Sequence, residues 1–238
     1  MKREEYKATT LGEIVSKDIR TAEVFREAGL DFCCGGKLTL SAACQQEDIL
    51  LDPIIAQIER LAKVELQQEV RFDIKPLDDL IDYIVNTHHS YIRKSVPELS
   101  FYTSKIANVH GENHPELKNV AELFDKLGKE LLHHIVSEEE DLFPAIKRSL
   151  ANKKEGDASI IDFHIIQMEN EHEAAGCIMH EINKITNAYR VPSDGCNTYA
   201  VTFNMLEQFE KDLHLHVHLE NNILFPRVLS LLLLLDEI

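Results

Sequence analysis

One phrase occurs twice in this chain. Residues 134–144 read HIVSEEEDLFP and residues 216–226 read HVHLENNILFP. Each copy places a Glu four residues after a His and then closes on Leu-Phe-Pro. The copies are His134, Glu138, Leu142, Phe143 and Pro144, and His216, Glu220, Leu224, Phe225 and Pro226. Residues four apart share a helix face, so each copy sets an imidazole beside a carboxylate. Two such pairs on two helices supply the donors of a first-row metal centre. Imidazole with carboxylate and no thiolate suits iron or manganese better than structural zinc.

The chain has twelve His, too many for one site, and helical phase sorts them. On the second long helix His134 falls on the stripe of Leu123, Leu127 and Leu131, with Glu138 beside it. On the fourth, His216 joins Met205, Phe209, Leu213 and Ile223, with Glu220 next to it, while His214 and His218 face the other way. On the third, His172 follows Ile161, Ile165, Met168 and Met179. On the first, the stripe of Leu77, Ile81, Ile84 and Ile92 runs nearest His88, with His89 nearer its edge. His164, His180, His214 and His218 read as ordinary packed or solvated residues. Two inward carboxylates do not, because an unpaired charge in a helical core is expensive and a cation removes the cost. Two Glu and four inward His exceed the needs of one ion and suit two.

The elements that carry these residues are helical. The spacing predicts long helices over about 77–105, 116–150, 158–188 and 197–233, with breaks at 110–113, 152–156 and 191–195. Short breaks between long helices predict an up-down-up-down bundle. Pro97, Pro144 and Pro226 are expected to kink or end these helices. Residues 1–66 read as a small domain of short helices, 67–76 as a linker and 77–238 as the bundle. Within the first, Gly29 is the expected C-cap of a helix over 21–28, and Asp52-Pro53 the expected start of a helix through Leu61.

Composition narrows the function. The net charge of −16 opposes nucleic-acid binding. No Gly-rich nucleotide loop is present. The longest apolar run, Leu231–Leu235, is too short to span a bilayer. Five Cys, two of them adjacent, and an N-terminus without an apolar segment point to the cytoplasm.

The vicinal pair Cys33 and Cys34 sits beside two Gly in the phrase DFCCGGKLTL. Lys37 and a helix start at Thr39–Leu40 are expected to favour thiolate there. Cys44, Cys177 and Cys196 read as small core or surface residues.

That phrase, LGEIV near the start, Pro-Glu-Leu after the first His pair, Glu-x-Glu-His at 169–172 and LENNILFPR at 219–227 together resemble the RIC-type iron–sulfur cluster repair proteins, the YtfE/ScdA family. The resemblance covers nearly the whole chain. It implies an all-α protein with a hemerythrin-like four-helix bundle behind a small helical domain with a di-Cys site. It also implies two iron ions in an oxo- or hydroxo-bridged di-iron centre. Carried onto matching positions, the family's ligands are His89, His134, Glu138, His172, His216 and Glu220. The first departs from periodicity, which favours His88. Oxygen-carrying hemerythrins have a second His four after the one on helix three; here that position is Gly176, which leaves coordination space.

The implied function is repair of iron–sulfur clusters damaged by nitrosative or oxidative stress, by iron donation, with Cys33 and Cys34 escorting iron or supplying electrons. Damaged iron–sulfur proteins would be the acceptors, NO or O2 small ligands, and a homodimer the assembly. A di-iron nitric oxide or peroxide reductase and an O2- or NO-binding sensor need the same six ligands. A metal-free bundle would require two orphan core carboxylates.

Overall fold

The computed structural model describes residues 3–64, 71–152 and 158–236. The first four residues of the expected linker (67–70) and most of the break at 152–156 lie outside the described residues. Among the described residues there is no strand, only an isolated bridge between Thr10 and Thr39. Among the described residues no helix is long and apolar enough to cross a membrane. The chain divides into two compact units, Met1–Asp82 with His214–Ile238, and Tyr83–Leu213.

In the first unit the short helices are α1 (Arg3–Ala8), α2 (Leu11–Lys17), α3 (Thr21–Glu27), α4 (Leu40–Gln46) and α5 (Leu51–Leu61). Local chemistry sets their ends. Thr10 caps α2 in a reciprocal capping box with Glu13, and Thr39 caps α4. Gly29 ends α3 at φ +73°, where the Leu30 N–H reaches back to the Phe25 carbonyl. One local expectation fails: α5 opens at Leu51, so Asp52 lies inside its first turn and is not the cap. Asp52 instead pairs with Arg3 at 2.8 Å. Pro53 is tolerated because first-turn N–H groups have no helical partner to lose.

The second unit is a four-helix bundle. Its first helix takes the end of α6 (Leu77–Ile84), of which residues up to Asp82 belong to the first unit, then a π-turn at Val85–His89 and α7 (Ser90–His110). The second runs as α8 (Glu116–Ser137), a π-turn at Glu138–Leu142 and α9 (Phe143–Asn152). The third is α10 (Ala158–Ile185). The fourth is α11 (Asn197–Leu219) as far as Leu213; the rest of α11, the π-turn at Glu220–Leu224 and α12 (Phe225–Asp236) belong to the first unit. None of the three prolines ends its helix. Pro97 lies inside α7, and Pro144 and Pro226 are each the second residue after a π-turn. Helix three stops before 188 because Asn187, Ala188 and Tyr189 all take positive φ.

The bundle core is apolar and closely packed. Phe124 and Phe209 meet edge to face at 5.3 Å, and Leu99, Leu127, Met168 and Leu206 are fully buried. Gly128 lets α7 and α8 approach: a Cβ there would meet Val96 Cγ1 at 2.6 Å. Val96 is stiff at χ1 and gives way poorly. Gly128→Ala should therefore destabilise the protein, because overpacking costs about 1–3 kcal/mol, more than the roughly 1 kcal/mol of helix propensity it gains. With Val96→Ala also present the sign should reverse. Denaturant unfolding of the four proteins in this cycle checks it.

Candidate metal centre

Glu138 opens the second π-turn and is fully buried in the bundle. Neither of its carboxylate oxygens takes a hydrogen bond among the described residues. What faces it is imidazole nitrogen: His89 Nε2 lies 3.2 Å and His134 Nε2 3.4 Å from Oε2. His172 Nε2 is 3.0 Å from His134 Nε2. Ligand atoms of His134, Glu138 and His172 all lie within 4.8 Å of one another, and His89 is as close to Glu138.

The far side of two rings is fixed by carboxylates. His89 Nδ1 meets Glu139 Oε1 and His134 Nδ1 meets Glu171 Oε2, both at 2.7 Å. Glu171 is anchored by Gln167, and Glu139 by two bonds from Arg93. The bond from His134 pulls the Glu171 carboxyl down to about 2. Burial opposes ionisation of Glu139, but Arg93 and His89 outweigh it and hold that carboxyl below its usual range. Each ionised carboxylate accepts a hydrogen bond from Nδ1–H, so a neutral ring presents its Nε2 lone pair inward. Phe143, from the repeated Leu-Phe-Pro, stacks on His89 at 5.8 Å and 15° and fixes its plane.

Lone pairs therefore converge on a carboxylate. Only extra protons on the rings or a cation between the groups relieves that repulsion. Donors preset at Nε2, carboxylates behind them and no thiolate fit a first-row metal ion.

In the other unit His216 Nε2 and Glu220 Oε1 lie 3.0 Å apart, both fully buried. They stand at the end of α11 and the start of its π-turn, as His134 and Glu138 do on helix two. His218 is buried against Phe32, with Ser16 Oγ at 3.5 Å, and desolvation lowers it to about 4. His214 also packs on Phe32, whereas His133 and His180 are exposed.

Both His88 and His89 are buried, but they do different things. His88 Nδ1 pairs with Asp212 at 3.0 Å, while His89 faces Glu138. Uniform helical phase favours His88; the π-turn at Val85–His89 inserts an extra residue and brings His89 to the inward position.

Cys33 and Cys34 lie in the loop after α3, neither in a disulfide. The expected thiolate is contradicted at Cys33. A hydrogen bond with Cys34, burial and the charge of Asp31 push this thiol well above its usual range. Sequence reasoning also missed Glu139 and Glu171, whose only signal is a carboxylate next in sequence to a candidate ligand. It missed Cys196 as well: backbone N–H of Tyr199 at the start of α11, then His110 with Nε2 3.2 Å from Sγ, lower this exposed thiol to about 7.

A helical bundle with this donor set defines a hemerythrin-type cation-binding protein. Residues 80–228 match the hemerythrin HHE cation binding domain, and residues 7–62 match ScdA_N, a domain of unknown function (DUF542). The chain is similar to the iron–sulfur cluster repair protein YtfE of Salmonella paratyphi B, of Salmonella newport and of Salmonella heidelberg. Each is 34% identical over 225 residues, which covers 94% of this chain and 98% of the relative. The chain belongs to this family of hemerythrin-domain proteins.

Two outcomes are expected. Glu171→Ala should weaken metal retention about 10–100-fold, the usual cost of losing a group behind a ligating His, as read by chelator competition. Alkylation of Cys196 should rise with a midpoint near pH 7, and His110→Ala should move that midpoint upward, as followed by mass spectrometry.

Proposed function

We propose that this is a cytoplasmic di-iron protein that restores iron–sulfur clusters damaged by nitric oxide or oxidants, by donating iron. The observation that carries the reading is the buried Glu138 carboxylate, faced by Nε2 of His89 and His134 and given no hydrogen bond among the described residues. His89, His134, Glu138, His172, His216 and Glu220 would hold two iron ions. Support for joining them is that all six fall within the hemerythrin match, and that relatives of nearly equal length are named for cluster repair.

Bound iron supplies both a redox couple and the cargo. The chain's own residues present and release it. Glu139 and Glu171 keep each Nε2 turned inward, and Phe143 prevents the His89 ring from swinging. Gly176, one turn beyond His172, offers no seventh side chain, which leaves room for ligand exchange and loss of iron. Cys33 and Cys34 escort iron or supply electrons. The working division is an N-terminal thiol domain (1–66), a linker (67–76) and a metal-binding domain (77–238). Damaged iron–sulfur proteins as acceptors, NO or O2 as small ligands, and a homodimer belong to the same reading.

Elemental analysis of protein purified without added metal should give about two irons per chain; a single zinc would overturn the di-iron assignment. Holo protein mixed anaerobically with an NO-damaged iron–sulfur protein should rebuild the cluster while losing its own iron. Equal activity of the apo protein would defeat iron donation. Sustained NO turnover with iron retained would select a reductase instead. Gly176→His should slow iron loss to a chelator, and an unchanged rate would remove Gly176 from the account.

A further inference from the structure

The loop between α3 and α4 is wrapped around one carboxylate. Asp31 Oδ1 accepts the backbone N–H of Cys33 and of Cys34, both at 3.0 Å, and Oδ2 accepts that of Gly35 at 2.9 Å. The Cys33 thiol donates to the same Oδ1 at 3.1 Å. The two sulfurs stand 3.9 Å apart. A disulfide needs about 2.05 Å. Two thiolates on one tetrahedral ion, with metal–sulfur bonds of about 2.3 Å, stand about 3.8 Å apart. The observed spacing, held here as a thiol–thiol contact, is also the one a shared cation needs. Carboxylate and both Sγ lie within 4.8 Å of one another.

We propose that Asp31, Cys33 and Cys34 form a site for a thiophilic divalent cation, sharing no residue with the imidazole–carboxylate centre. The loop is already in place. Asn222, in the π-turn at Glu220–Leu224, donates Nδ2 to the carbonyls of Cys33 at 2.9 Å and Phe32 at 3.3 Å. Gly12 donates to Gly36 and Leu11 to Leu38, both at 2.9 Å. A Cβ at Gly12 or Gly36 would strike Asn222 Oδ1, so both positions need glycine for this clamp.

Cys33 is buried while Cys34 is partly and Asp31 largely exposed, so the site opens to solvent on one side. Binding converts one cation, two thiols and one carboxylate into a metal bis-thiolate carboxylate and releases two protons. With three protein ligands, the fourth position stays open, as a transfer site requires. On the repair reading above, on which this role alone rests, the cargo is ferrous iron.

The test is a titration with Cd2+ of the full chain carrying Cys177→Ser and Cys196→Ser, under reducing conditions, following the sulfur-to-cadmium ultraviolet band and proton release. One equivalent should give the band and release two protons. Cys34→Ser should lose about half the band. Asp31→Asn keeps an Oδ1 to accept the N–H groups of Cys33 and Cys34, gives up the bond from Gly35, and should weaken binding by at least roughly tenfold, the lower cost of losing even an outer partner. No band at one equivalent, or wild-type affinity in Asp31→Asn with the helical spectrum intact, would overturn the site. Glu138→Ala should keep the band whatever its iron content, so failure of the di-iron reading and failure of this one are read separately.

Discussion

A carboxylate buried without a hydrogen-bond donor is the constraint on which this bundle turns. Removing Glu138 from water costs several kcal/mol, and the groups that face it at hydrogen-bond range are two imidazole nitrogens. The surroundings do nothing to neutralise it locally. Instead they prepare its partners: Glu139 and Glu171 hold the rings from behind, Arg93 and Gln167 hold those carboxylates, and Phe143 fixes one ring plane. Such an arrangement is strained as bare protein and satisfied by a cation. Its energy is spent on preorganisation for a metal rather than on stability.

The backbone is adapted to the same end. Among the described residues three π-turns interrupt the long helices, and each begins or ends on a candidate ligand: His89, Glu138 and Glu220. A π-turn sacrifices good hydrogen-bond geometry and appears mainly at functional sites. Two of them account for the repeated Leu-Phe-Pro. The N–H of Phe143 reaches back five residues to Glu138, and that of Phe225 to Glu220. The proline that follows has no N–H to place, so the widened turn absorbs it and the helix goes on.

These adaptations explain what was legible in the sequence. The four long helices were, because their apolar period is strong over many turns. His134, Glu138, His172, His216 and Glu220 were singled out because they lie in regular helix or at the first residue of a π-turn, before phase is lost. His89 was not legible by phase, because the extra residue of its π-turn precedes it. Glu139 and Glu171 resemble solvated surface carboxylates in a one-dimensional pattern; only the packing shows them against ring nitrogens. Cys33 was expected as thiolate from a nearby Lys and helix start, but Asp31 and Cys34 lie closer and act in the opposite direction. For Cys196, proximity to His110 is a tertiary fact separated by eighty-six residues.

The phrase Leu-Glu-Asn-Asn-Ile gains meaning from helix geometry. Residues two apart do not share a face. Glu220 and Asn222 therefore serve different sides of one helix: the first stands against His216, and the second reaches the carbonyls of the thiol loop. Asn is the residue that does this at that length. Asp would set a carboxylate against the two carbonyls, and Gln would carry its amide past them toward Gly12 and Gly36, where the fit already excludes a Cβ. A candidate ligand and the clamp on the cysteine loop are thus two residues apart on one rigid element. That turn joins a candidate ligand to the carbonyls of Phe32 and Cys33 through the Asn222 amide.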